Sequence, residues 1–116
     1  MSVQDLRNRI LGFKAEIPTT EVEGIGTIGC KTLGAGEFIA LRDYIRLEET
    51  SDLDAMVRTL IVCACEPEEA TTLFSDADAA GLAANVPFTV LQDVTHWMGN
   101  VQIGKAEDRE GNLPTA

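Results

Sequence analysis

Residues Thr19 to Leu33 read TTEVEGIGTIGCKTL, and this stretch decides between two folds. Its glycines at 24, 26 and 29 match G-x-G-x-x-G as G-I-G-T-I-G, the phosphate-cradling turn of a dinucleotide-binding βαβ unit. That unit needs a strand before the glycines and a helix opened by them. Here only a few strand-type residues precede, and strand-like CKTL follows. Val22, Ile25, Ile28, Cys30 and Thr32 suit strands, and Gly24-Ile25-Gly26 suits the turn between two of them. The stretch therefore predicts a small antiparallel hairpin and no nucleotide site.

Helical signals flank it on both sides. Upstream, Ser2 caps a helix start and Asp5 reaches back from the third helical position, a capping box with Asp in place of Glu. Leu6, Ile10 and Phe13 then share one face, the helix ends near Gly12, and Pro18 forbids its continuation. Downstream, Phe38, Leu41, Tyr44 and Ile45 line a helix running to about Glu48. Ser51 and Asp54 repeat the capping device before Leu53, Val57, Leu60 and Ala64, with Met56 and Ile61 widening the stripe. That width predicts a central helix, stopped by Glu66-Pro67. The run LIVCAC falls inside it, so Cys63 and Cys65 stand about 200° apart and cannot share a metal.

Ser75-Asp76-Ala77-Asp78 looks like the start of a calcium loop. A calcium loop requires further oxygen ligands and a bidentate Glu near its twelfth position, which is Pro87 here. The aspartates instead open a helix, a third use of the same cap, with favourable charge at the positive end of the dipole. The last helix starts around Pro87, with Phe88, Leu91, Val94, Met98 and Val101 on one face. Trp97 beside that face reads as a packing anchor, and His96 falls on the opposite flank. From Gly104 onward the chain, 104–116, is a polar tail without apolar period, whose composition predicts disorder; residues 1–103 read as a single domain.

Global composition narrows the function classes. Nine Lys and Arg against nineteen Asp and Glu give a net charge of −10 over 116 residues, which disfavours binding to a phosphate backbone. No apolar run is long enough to span a bilayer and no leader pattern is present, so no membrane association and a cytoplasmic setting are expected. Three cysteines, an odd number, argue against a disulfide framework, and the single His96 has no second histidine for a zinc site. No G-x-S-x-G elbow, P-loop or nucleophile–base pair is visible. The expectation is a non-enzymatic protein without cofactor or metal, working by contact.

The order of elements, from I-P-T-T-E-V-E-G-I-G-T-I-G-C-K-T-L-G-A-G-E to T-L-F-S-D-A-D-A-A-G-L-A and a final helix, resembles the tail assembly chaperones of long-tailed, siphovirus-like bacteriophages. The family's V-x-G-x-G stretch corresponds to Val22 to Gly26. Its L-T-A-G-E piece is matched by Leu33-Gly34-Ala35-Gly36-Glu37, and its L-F-S-x-x-D piece by Leu73 to Asp78. The likeness covers Ile17 to Val101. One departure is the lack of the family's Asp-Gly turn between Glu66 and Thr72. The resemblance implies a protein of the host cell cytoplasm that binds the tape measure protein, helps recruit the tail tube protein during tail morphogenesis, and self-associates. It also implies a longer frameshifted product, with Gly104-Lys105 as the place for a slippery codon run. The other reading is a virion structural protein, such as a minor tail or connector component. For the partner-binding surface, the residues beside the hairpin and the final helix are expected, Ile25 and Trp97 among them. The architecture expected is α+β, a small antiparallel hairpin packed with about five helices.

Overall fold

The computed structural model describes residues 2–13 and 16–104. The chain runs α1 (Val3–Leu11), β1 (Thr19–Val22), β2 (Gly26–Cys30), α2 (Ala35–Ile45), α3 (Asp52–Cys63), β3 (Ala64–Cys65), a 3₁₀ turn (Asp76–Asp78), α4 (Ala79–Asn85) and α5 (Phe88–Gln102). It is an α+β fold, mostly helical. The polar tail falls outside the described residues, apart from Gly104.

The helix starts follow from local chemistry. Ser2 Oγ accepts from the Asp5 amide at 3.1 Å, and Ser51 Oγ from the Asp54 amide at 3.0 Å. At the third site the traffic runs the other way, with the Asp78 carboxylate accepting from the Ser75 amide at 2.8 Å. Each bond satisfies a donor that the first turn of a helix leaves open. Asp76 has a second role: its carboxylate meets Arg58 of α3 at 2.7 Å, tying the turn back to the central helix.

Thr19 to Cys30 form the expected hairpin, with Val22 opposite Gly26 and Thr20 opposite Ile28. Gly24 and Gly26 take φ of 84° and 120°, which side-chain-bearing residues avoid. The G-I-G-T-I-G stretch is thus turn and strand, and its two neighbouring strands are antiparallel.

The sheet extends beyond that hairpin, which corrects the reading of LIVCAC. The helix α3 ends at Cys63, short of Glu66-Pro67, because Ala64 turns extended (φ −67°, ψ 128°). Ala64 and Cys65 then pair with Cys30 and Gly29 as a third antiparallel strand, giving the order β1-β2-β3. Glycine at 29 permits this approach: a Cβ there would lie 3.1 Å from Pro67 Cα and 2.8 Å from an Ile17 methyl.

Against the sheet, α3 packs on α5, with α2 and α4 against α3. The core they share contains Leu41, Val57, Leu60, Ile61, Leu82, Leu91, Val94, Met98 and Val101, together with Val22 and Cys30 from the sheet. Three residues of the stripes expected in α2, α3 and α5 differ: Ile45 at the end of α2, Leu53 at the start of α3 and Phe88 at the start of α5 are exposed. Helix α1 contributes nothing to this core. None of its residues is buried, and Leu6, Ile10 and Phe13 face outward.

Candidate functional site

The hairpin turn places Ile25 at the mouth of an apolar cleft between the sheet and the helices. Its walls are Val22 and Ile28 of the hairpin, Leu73 and Phe74 before the 3₁₀ turn, Leu82 and Val86 of the α4 end, and Val90, Leu91 and Val94 of α5, with Leu60 of α3. Every lining residue is aliphatic or aromatic. Ile25 is 67% exposed and Leu73 47% exposed, so the rim as well as the floor is apolar. The enclosed volume, about 110 Å³, holds a side chain or two from a partner. Pockets that enclose a cofactor or drug-sized ligand run to roughly 300–1,000 Å³.

Trp97 lies on the adjoining surface. It lines a second, more open cleft of about 370 Å³ with Thr20, Glu21, Glu23, Thr89 and Asp93, and shares Val22, Val90 and Val94 with the first. Ile25 and Trp97 therefore flank one seam between β1 and α5 without lining a common pocket. Trp97 packs its ring partly against the core. The three carboxylates of Glu21, Glu23 and Asp93 give this side of the seam its charge. The Thr27 hydroxyl donates to Glu21 across the hairpin and holds that carboxylate at the turn. Sequence periodicity could not find this pairing of an apolar cleft with an acidic flank, because Val22 and Val90 are far apart along the chain.

A different group of reactive side chains sits at the other end of the sheet. Cys30, Cys63 and Cys65 are fully buried free thiols. The Cys30 thiol donates to the Lys31 carbonyl at 3.7 Å, and its interaction with the neighbouring Cys63 thiol together with burial pushes Cys30 far above the ordinary thiol range. The same interaction draws Cys63 down, against the opposing effect of burial. Burial pushes Cys65 up. Gln102, at the end of α5, closes the cluster. Its Nε2 donates to Lys31 O at 2.8 Å and lies 3.4 Å from Cys30 Sγ, while its Oε1 accepts from the Leu33 amide at 2.9 Å. This is a structural clasp between α5 and the segment after β2: nucleophilic thiols need to be accessible, and these are fully buried.

His96 is exposed on α5 and lines a separate cleft with Phe38, Arg42 and Asn100, where none of the cysteines appears. Asp76 and Asp78 are engaged with Arg58 and Ser75. Among the described residues, no group of three or more His, Cys, Asp or Glu side chains is placed to hold a metal ion, and no helix is long and apolar enough to cross a membrane. Comparison with family models, with curated proteins and with solved structures finds no match to this chain.

Proposed function

We propose that this protein is a bacteriophage tail assembly chaperone that binds the tape measure protein and helps recruit tail tube subunits, acting in the host cell cytoplasm. The single observation that supports this reading is the all-apolar cleft with Ile25 on its rim, set into a chain of net charge −10. A long apolar helix exposed before assembly aggregates unless its side chains are covered. A cleft of this size accepts one or two such side chains at a time, and several copies along the helix mask it. The acidic surface keeps the coated complex dispersed by mutual repulsion. The work is reversible contact, which suits a protein that leaves its client once the tube subunits arrive.

The test is co-expression with a tape measure protein, the long helical client of this proposal. The wild-type chain is expected to bring that protein into the soluble fraction and to co-purify with it. Ile25→Asp places a charge on the apolar rim without entering the core, and is expected to reduce the recovered complex at least tenfold with an unchanged melting temperature. An insoluble client in the presence of the folded wild-type chain sinks the proposal.

A further inference from the structure

Helix α1 poses a problem that the fold leaves unsolved. Its cap is made and its sequence is amphipathic, yet Leu6, Ile10 and Phe13 are 52%, 67% and 75% exposed. A helix of nine residues is too short to hold itself together in water, and depends on packing of its apolar face. Its charge is also unlike the rest of the molecule. Arg7 and Arg9 oppose only Asp5 in α1, within a chain that carries nineteen acidic residues against nine basic ones. At about 100° per residue, Arg7 and Arg9 fall on either side of the stripe made by Leu6 and Ile10. The helix thus presents an apolar ridge bordered by two guanidinium groups.

The β1–α5 seam presents the complementary surface, an apolar cleft with an acidic flank made by Glu21, Glu23 and Asp93. Ile17 packs against Gly29 and the Pro18 carbonyl accepts from the Cys30 amide at 2.9 Å, which pins the chain at the end of β1 remote from the turn. The cleft opens at the turn itself, on Ile25. We propose that α1 of a second copy of this chain docks on the seam, with Leu6 and Ile10 entering the cleft and Arg7 or Arg9 meeting the carboxylates of Glu21, Glu23 and Asp93. The occupant is a second copy because this chain supplies both halves of the match, a basic-edged apolar helix with no buried residue and an apolar cleft with an acidic flank. The cleft is the one assigned above to the client, so self-docking also covers it while no client is present, but the docking itself does not depend on that assignment.

Sedimentation equilibrium of the purified chain, without any client, tests this. The wild type is expected to exceed its monomer mass of 12.5 kDa in a concentration-dependent manner. Ile10→Asp and Ile25→Asp, both at exposed positions, are each expected to weaken association at least tenfold while circular dichroism stays that of the wild type. Arg7→Glu with Arg9→Glu is expected to weaken it as well, and Glu21→Lys with Glu23→Lys in a mixed partner to restore it. Geometry is read by cross-linking. Mixed Leu6→Cys and Ile25→Cys variants are expected to form a disulfide-linked heterodimer on mild oxidation, the native thiols being buried. A monomeric wild type, an association indifferent to both aspartate substitutions, or a Leu6→Cys/Ile25→Cys double variant that closes only within one chain overturns the proposal. A monomeric chain that still solubilises its client overturns this inference alone and leaves the chaperone reading standing.

Discussion

Gln102 shows how one polar side chain can hold two elements in register. Its carbonyl oxygen takes the Leu33 amide and its amide nitrogen takes the Lys31 carbonyl, so both ends of the group are used on a segment 69 and 71 residues away. Segment 31–34 belongs to neither strand nor helix, and the Lys31 amide, which donates to Cys63 O at 2.8 Å, ties it to the residue before β3. Replacing the amide with an apolar group of similar size leaves Leu33 N–H without a partner and Lys31 C=O with only the Cys30 thiol at 3.7 Å, in a part-buried setting, at about 1–3 kcal/mol. Gln102→Leu is therefore expected to lower the unfolding free energy by that amount, read in a urea titration as a lower midpoint with little change in slope. A midpoint equal to the wild type's would show that water substitutes for the side chain. No periodicity announces Gln102 in the sequence: it reads as one more polar residue near a helix end.

Among the elements, the loop joining β3 to the 3₁₀ turn carries a conformational cost. Glu66 N–H donates to Thr71 O at 2.9 Å and Cys65 bridges to Thr72, so the chain doubles back through residues 67–70. Closing that turn puts Ala70 at φ 52°, the only described residue other than glycine in the left-handed region. A side chain there costs roughly 1–2 kcal/mol, part of which glycine's greater freedom in the unfolded chain cancels. Ala70→Gly is expected to raise stability by about 0.5–1 kcal/mol, visible as a higher melting temperature. A lower one would mean that the entropy of the unfolded glycine dominates. The same turn is where the sequence departs from the chaperone pattern by lacking an Asp-Gly pair. The backbone makes a left-handed turn there even without its preferred residue.

The whole molecule divides into a packed body and an appended helix, and the two respond differently to substitution. Met98 is completely buried between α5 and α3, and its truncation leaves a cavity; Met98→Ala is expected to cost about 2–5 kcal/mol. Ile10→Asp on α1 removes no core contact and is expected to leave the unfolding of the body unchanged when measured at a concentration where the chain is monomeric. Comparing the two melts separates a helix that belongs to the fold from one that belongs to an interface. An Ile10→Asp variant that unfolds as early as Met98→Ala would show α1 to be part of the body.

The features legible from the sequence alone are those made by near neighbours. Caps at Ser2, Ser51 and Ser75 are hydrogen bonds across three residues, and the hairpin rests on glycines that occupy its own turn. Such contacts close short loops, cost little entropy, and leave their pattern in consecutive residues. The course of Cys63-Ala64-Cys65 was not legible, since an apolar run suits a buried helix and a buried strand equally and Cys30 had to be in place to choose between them. Nor was the fate of α1, whose stripe resembles that of a core helix until the body proves to be filled without it. The seam where Ile25 and the Trp97 face adjoin exists only because β1 and α5 meet across some seventy residues. Local hydrogen bonding determined where the elements begin and turn; which apolar surfaces were covered, and which were left open for another molecule, was decided by packing between distant parts of the chain.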